Sequence, residues 1–174
     1  MKGHGSETAG NGLPAWGQDL RSSQATAFLL EHYFAGHTVA RGLFEDRFGR
    51  LRRMFAVSIE GTWDPVRSRL VLTEDFTYDD GASERRVWTI DKTGSRSYIG
   101  TADGVIGTAW GETHGRMVTW AYDFALIIGG LRWRVRFDDR MYLFDGGVML
   151  NRARVSKFGL TLGTLTIAFA RLPG

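Results

Sequence analysis

From about Val39 onward, apolar and polar residues alternate with a period of two, which is the pattern of half-buried β-strands. The clearest run is residues 131–138 (LRWRVRFD), where four apolar side chains alternate with three arginines and an aspartate. Turn signals interrupt the alternation at residues 48–49, 79–81, 93–94, 114–115, 129–130, 145–147 and 158–159. The pattern predicts about nine or ten strands joined by sequential hairpins.

A single helix is predicted before the strands. Ser22 or Ser23 can cap its first turn, and Gly36 is a suitable end. Between them, apolar residues recur at helical spacing, at Ala25, Phe28, Leu29, Tyr33 and Phe34. Residues 1–20 are rich in Gly, Ser, Asn and Thr without periodicity, and we expect them to form a disordered tail. Residues 21–174 are then one domain.

A meander of this size is expected to close on itself, because sheet twist accumulates and open edges invite aggregation. The predicted fold is all-β: a single closed antiparallel up-and-down barrel of about eight to ten strands, with the short N-terminal helix at one mouth. A barrel of this size has room for one small ligand in its interior.

Several charged and polar residues fall on the inward face of the predicted strands. They are Glu74, Arg86, Asp139, Asn151 and Lys157. Buried charges are costly unless they are paired, so the cluster requires either internal salt bridges or a polar group on a ligand. Both interpretations stay open, because satisfied polar networks also fix strand register in barrels.

An aromatic set has two interpretations of the same kind. It consists of Trp88, Trp110, Trp120, Tyr122, Trp133, Phe137 and Tyr142. These side chains either fill the barrel or form the wall of a pocket for an apolar or ring-containing ligand. Tyr78 shares the face of Glu74. The predicted ligand-binding residues are Glu74, Tyr78, Arg86, Trp88, Trp120, Tyr122, Trp133, Asp139, Asn151 and Lys157, with no catalytic residue assigned.

Composition narrows the chemistry. The 174 residues include 23 glycines and no cysteine, which excludes disulfides, thiolate zinc sites and a cysteine nucleophile. The four histidines have no metal-ligand spacing, and no phosphate or dinucleotide motif is present, so neither metal nor cofactor is expected. With no apolar leader after Met1, the sequence predicts a cytoplasmic protein, or one of the cell envelope if a signal segment was removed.

The net charge of +3 is modest, and its main concentration is the ladder of Arg132, Arg134 and Arg136 on one strand face. The ladder fits either peripheral contact with an anionic membrane or a solvated face paired with acids on neighbouring strands. No aromatic stacking platform accompanies it, so nucleic-acid binding is not predicted.

Eight stretches of the chain resemble a bacterial family of lipoproteins of unknown function, domain of unknown function 3833. They are residues 44–49 (FEDRFG), 59–63 (IEGTW), 74–81 (EDFTYDDG), 85–89 (RRVWT), 100–107 (GTADGVIG), 137–143 (FDDRMYL), 151–153 (NRA) and 156–159 (SKFG). The resemblance runs in order from about Tyr33 to Phe169. It implies a lipocalin-like barrel and, by association with genes for fatty-acid modification, a lipid-related role. Many members carry a lipidated cysteine after a signal peptide, and this chain has no cysteine.

Three functions are compatible with these features. The leading hypothesis is a barrel that binds a small apolar or fatty-acyl ligand without turnover, with Arg86 or Lys157 meeting its acidic group. The second is an isomerase or cyclase acting on a lipid-like substrate, with Asp139 or Glu74 as acid–base. The third is an interaction module that uses the arginine ladder on an anionic surface. The oligomeric state is left open.

Overall fold

The computed structural model describes residues 27–128 and 130–173 of the chain. Its strands are β1 (Gly36–Asp46), β2 (Leu51–Asp64), β3 (Arg69–Tyr78), β4 (Ser83–Lys92), β5 (Ser97–Ala102), β6 (Val105–His114), β7 (Met117–Ile128), β8 (Leu131–Leu143), β9 (Val148–Lys157) and β10 (Leu160–Arg171). A single 3-10 turn, Asp145–Gly147, lies between β8 and β9.

The ten strands form a closed barrel in which every neighbouring pair is antiparallel. Each strand pairs with the next one in the chain, and β1 closes the barrel against β10 from Thr38↔Arg171 to Asp46↔Gly163. Closure leaves no sheet edge exposed. The prediction of a closed antiparallel up-and-down barrel is therefore confirmed. The predicted tail at residues 1–20 lies outside the described residues.

The helix, α1 (Leu30–Phe34), is shorter than the sequence pattern predicts. Phe28 and Leu29 precede it, and Leu29 has an extended backbone at φ −108° and ψ 131°. Phe28 and Leu29 belong to an extended segment and not to one face of a helix. The prediction of helix from their spacing was therefore wrong at these two positions. The predicted caps at Ser22 and Ser23 lie outside the described residues.

The segment from Phe28 to Phe34, which we call the plug, covers one mouth of the barrel. The backbone N–H of Phe28 donates to the Gly115 carbonyl at 2.8 Å, and the Thr113 hydroxyl donates to the Phe28 carbonyl at 2.9 Å. Phe28, Leu30, Tyr33 and Phe34 are all buried. The plug thus closes the end of the barrel where β1 begins, and the other mouth has no helix over it among the described residues.

A buried ion pair also fastens the plug to the barrel. Glu31 is buried, and its carboxylate receives hydrogen bonds from the Lys92 ammonium and, at 2.8 Å, from the Tyr98 hydroxyl. Burial by itself raises the pKa of Glu31, but these bonds outweigh it and hold the pKa below its usual value. The plug is therefore attached by a charged group as well as by apolar packing.

Candidate ligand-binding cavity

A cavity of about 130 Å³ lies inside the barrel, between the plug and the middle of the strands. Leu30 and Phe34 of the plug form its floor, whereas Phe55 and Phe76 lie toward the open mouth. Its remaining walls are Val57, Ile59, Leu72, Glu74, Arg86, Trp88, Ile90, Trp120, Tyr122, Asp139, Met141, Asn151, Leu165, Ile167 and Phe169. The cavity is therefore aromatic and aliphatic, with a few polar groups.

Two of those polar groups form a buried pair on β8 and β9. The Asn151 side-chain amide donates a hydrogen bond of 2.5 Å to Oδ1 of Asp139. Both residues are at least nine-tenths buried, at 6% exposure for Asp139 and 5% for Asn151. Their other oxygens, Oδ2 of Asp139 and Oδ1 of Asn151, have no hydrogen-bond partner in the described chain. An unpaired buried oxygen costs about 1–3 kcal/mol, so this pair is unusual in a well-packed core.

The other two polar residues of the cavity are Glu74 on β3 and Arg86 on β4, which are directly paired across the two strands. The Arg86 guanidinium donates from Nη2 to Glu84 at 2.6 Å. It also lies 5.1 Å from the ring centre of Phe76 and 4.8 Å from that of Phe124. Its Nε has no partner in the described chain. Arg86 is thus held between aromatic faces with one donor still unused.

Burial raises the pKa values of both carboxyls that line the cavity. Desolvation raises the pKa of Asp139 to about 7, although the hydrogen bond from Asn151 opposes the shift. Desolvation also raises the pKa of Glu74 to about 7, against the attraction of Arg86 and with added repulsion from Glu84. Both carboxyls therefore exchange protons near neutral pH, and each is a hydrogen-bond donor when protonated.

Glycines make room for the aromatic wall. A Cβ on Gly100 would lie 2.6 Å from the Trp120 ring, and one on Gly111 would lie 2.2 Å from it. The indole therefore rests directly on the backbone of β5 and β6. Trp120 also packs edge-on to Trp88, with 5.8 Å between ring centres. Part of the high glycine content is explained by this close approach of rings to backbone.

Seven of the ten predicted ligand-binding residues line the cavity: Glu74, Arg86, Trp88, Trp120, Tyr122, Asp139 and Asn151. The structure places the other three, Tyr78, Trp133 and Lys157, in the strand halves next to the open mouth. There the Lys157 ammonium lies 3.5 Å from the Trp133 ring centre, and the Tyr78 hydroxyl donates to Glu84 at 3.0 Å.

The wider aromatic set divides in the same way. Phe137 points inward and stacks on Tyr122 with 5.0 Å between ring centres. Trp110 and Tyr142, in contrast, are exposed at 66% and 37% and contribute nothing to the interior. Strand β6 has a register shift between Ile106 and Trp110. Such an irregularity changes which face of the strand the following side chains occupy, and Trp110 lies on the outer face.

The arginine ladder is largely paired. Arg134 binds Asp123 across the β7–β8 hairpin, and Arg136 contacts both Asp123 at 3.7 Å and Asp138 at 3.3 Å. Exposed pairs of this kind are worth about 0–1 kcal/mol each and are typical of a solvated sheet face. The ladder as a whole therefore resembles a paired outer surface.

Several residues that line the cavity were not among the predicted ligand-binding residues. Phe34 and Leu30 form the floor because the plug folds into the mouth, and Phe55 and Phe76 close the opposite end. Glu31, the buried acid of the plug, carries no signal in the sequence that distinguishes it from an exposed helical glutamate. Among residues 27–128 and 130–173 there is no group of three acidic or histidine side chains that suits a metal ion. In the same residues no helix is long and apolar enough to cross a membrane.

These features define a lipocalin-like barrel with one covered mouth and a small interior cavity that is apolar except for its buried acid, amide and guanidinium groups. Residues 16–171 match the family described as "Protein of unknown function (DUF3833)", and the chain belongs to that family. No curated protein matches the sequence.

Among solved structures, the chain is similar to the S-type phycobiliprotein lyase of Guillardia theta, with a TM-score of 0.58. The two share 11% sequence identity over 84% of this chain and 94% of the lyase chain. At this identity the similarity is one of fold.

Proposed function

We propose that the barrel binds one small, mostly apolar molecule that carries a hydrogen-bonding group, and that it does so without turnover. The observation that carries the proposal is the buried Asp139–Asn151 pair, whose two unpartnered oxygens border a cavity with mainly apolar walls. Polar groups left unpaired at this depth are expected to have a partner in the functional state. A hydroxyl, carbonyl or amide on a ligand supplies such a partner.

The size of the cavity limits what enters it. An apolar cavity of roughly 150 Å³ in another protein holds benzene, and the cavity here is about 130 Å³. A ring or a segment of a few carbons fits this space. A longer fatty-acyl chain has to continue past Phe55 and Phe76 toward the open mouth.

The charged residues of the cavity determine which end of a ligand can be buried in it. Two carboxyls, Glu74 and Asp139, line the cavity beside a single guanidinium that already binds Glu84. An anionic head group at this depth would be repelled and desolvated. The buried group is therefore uncharged, and the carboxylate of a fatty acid belongs at the open mouth near Lys157.

The polar pair is tested by replacing both of its members. We expect the double variant Asp139→Leu with Asn151→Leu to fold, because removing both partners of a buried hydrogen bond is nearly neutral. The native protein should bind phenol roughly tenfold more tightly than toluene, and the variant should lose this preference. Binding is followed by calorimetry and by the indole N–H signals of Trp88 and Trp120 in NMR spectra.

Thr38→Val is the matched control, because Thr38 is also fully buried with an unpartnered hydroxyl but does not line the cavity. It should leave the preference unchanged. Equal affinity of the native protein for phenol and toluene would contradict the proposal, as would a preference that survives in the double variant. Benzoate serves as the charged probe and should bind more weakly than phenol at pH 8.

A second candidate function is catalysis, favoured by the two cavity carboxyls whose pKa values are both about 7. Carboxyls poised near neutral pH are suited to general acid–base chemistry. The structural neighbour is named a lyase, so the fold is compatible with an enzyme.

Native mass spectrometry of the purified protein tests whether it carries a bound compound. The two functions are then separated by incubating the protein with that compound, or with phenol if none is carried, and following the compound over hours by chromatography with mass detection. We expect the compound to be bound and returned unchanged. Conversion by the native protein that is lost in Asp139→Asn or Glu74→Gln, with binding retained, would overturn the non-enzymatic proposal.

A further inference from the structure

The open mouth of the barrel is surrounded on one side by exposed apolar side chains. In the described chain, eight large apolar residues are more than half exposed, and six of these lie on three hairpins at this mouth. We call these six residues the rim: Phe48 and Leu51, Ile127 and Leu131, and Phe158 and Leu160. Of the other two, Val66 lies in the β2–β3 hairpin at the opposite end, and Trp110 lies on the barrel wall in β6.

The three hairpins are neighbours in space. In the barrel order β8 and β7 follow β9, which follows β10, which pairs with β1 and then β2. The tips of the β1–β2, β9–β10 and β7–β8 hairpins therefore lie side by side along one arc of the mouth. A contiguous apolar patch of this kind marks an interaction surface, whereas single exposed apolar residues do not.

The charges next to the rim are predominantly positive. Arg47, Arg50, Arg132 and Lys157 flank its apolar residues. Two acids lie beside them: Asp46, which is bound to Arg52, and Glu45, which is paired with Leu51. The remaining two hairpins at the same mouth are acidic, with Asp79, Asp80 and Asp103 at their tips. The mouth is thus divided into a basic, apolar side and an acidic side.

The cations are placed beside the two rim phenylalanines. Phe48 has the Arg47 guanidinium 4.8 Å and the Arg50 guanidinium 5.8 Å from its ring centre. Phe158 has the Lys157 ammonium at 5.2 Å. A ring with a cation at its side is suited to the boundary of a bilayer, where the ring enters the acyl region and the cation remains at the phosphates.

Phe158 is also held in a conformation that the fold itself does not favour. Its φ is +51°, in the left-handed region, where Asn or Gly is the usual choice in a two-residue hairpin turn. The side chain is 93% exposed, so it gains almost no packing in return. A bulky residue kept in a strained turn with almost no packing against the barrel points to a function outside it.

We infer that the rim docks on the surface of an anionic lipid bilayer, with the phenylalanine tips inserted and the neighbouring basic residues at the phosphates. A second copy of the chain fits less well, because it would bring one basic rim against another. The acidic hairpins face away from the bilayer in this arrangement, so the barrel tilts with its open mouth toward the lipid. The inference is independent of what the cavity binds.

The test is binding to vesicles of phosphatidylcholine with one quarter phosphatidylglycerol, compared with phosphatidylcholine alone, measured by cosedimentation. The native protein should prefer the anionic vesicles and lose binding as salt rises. Phe158→Asn should weaken binding by roughly tenfold, since a buried phenylalanine is worth about that factor or more. The same substitution should raise the urea midpoint of unfolding, because asparagine tolerates the left-handed turn.

Val66→Asn is the matched control, since Val66 is 94% exposed in a hairpin at the opposite end. It should leave vesicle binding unchanged. Charge reversal at Arg50 and Arg132 should abolish the preference for phosphatidylglycerol. The inference is overturned if the native protein does not bind anionic vesicles, if Val66→Asn is as damaging as Phe158→Asn, or if Phe158→Asn instead converts a dimer to a monomer without affecting binding.

Discussion

Replacing Gly61 by alanine is expected to lower the free energy of unfolding by about 2–4 kcal/mol. A Cβ at this position would lie 1.7 Å from the carbonyl oxygen of Phe34 and 3.1 Å from a methyl group of Leu72. The first contact is with backbone, so no side chain can rotate to relieve it. Strand β2 and the plug cannot both keep their positions, and the plug has to move.

Urea unfolding of Gly61→Ala and the native protein measures the loss. Gly94→Ala is the control, because a Cβ on Gly94 meets its nearest atom, in Ser97, at an ordinary 3.4 Å. It should change the free energy of unfolding by less than about 1 kcal/mol. Phe34 also lines the cavity, so Gly61→Ala should weaken phenol binding too. A Gly61→Ala variant with native stability would show that the plug is not seated against β2.

The period-two alternation was sufficient to predict the barrel wall, because a strand with one face inside the barrel must alternate apolar and polar side chains. On β8 the inward set continues without interruption from Trp133 to Asp139, and the buried positions follow it. Alternation identifies the face on which a residue lies and gives no information on its depth along the barrel axis. Depth depends on the stagger between neighbouring strands, which is a property of the closed sheet.

The candidate site shows the same limit. Asp139 and Lys157 were both correctly placed on inward faces, yet Asp139 lines the cavity and Lys157 lies beside Trp133 near the open mouth. The volume that remains open is equally hidden from the sequence. It depends on how far Trp120 can lie against Gly100 and Gly111, which come from two other strands.

The rim was visible in the sequence only as turns. Phe48-Gly49 and Phe158-Gly159 were interpreted as turn signals because of their glycines, and the phenylalanines were not considered. The informative feature was the residue before glycine, since Asn or Asp is usual at that position in a tight hairpin. Only the order of the strands around the barrel shows that these two turns are neighbours.

The native protein is expected to lose stability as the pH rises from about 5 to about 8, above the range in which the other carboxyls titrate. Burial raises the pKa of both Asp139 and Glu74 to about 7, whereas in the unfolded chain such groups titrate near pH 4. Between these values the two groups keep protons in the folded protein that they release in the unfolded chain. The free energy of unfolding therefore falls with rising pH in this window and levels off above the folded pKa values.

Removing the two charges should reverse the usual effect of a core substitution. We expect Asp139→Asn with Glu74→Gln to be more stable than the native protein at pH 8, by about 1–3 kcal/mol, and to show little change in stability between pH 5 and pH 8. The isosteric amides keep the acceptor for Asn151 while removing the buried negative charge. Asp75→Asn is the control on the outer face of β3, where the carboxylate pairs with Arg85 and its pKa is lowered. Urea unfolding at pH 5, 6.5 and 8 measures all three proteins. A native stability that stays constant across this range would show that the two carboxyls are ionised in the folded cavity at every pH tested and would contradict the prediction.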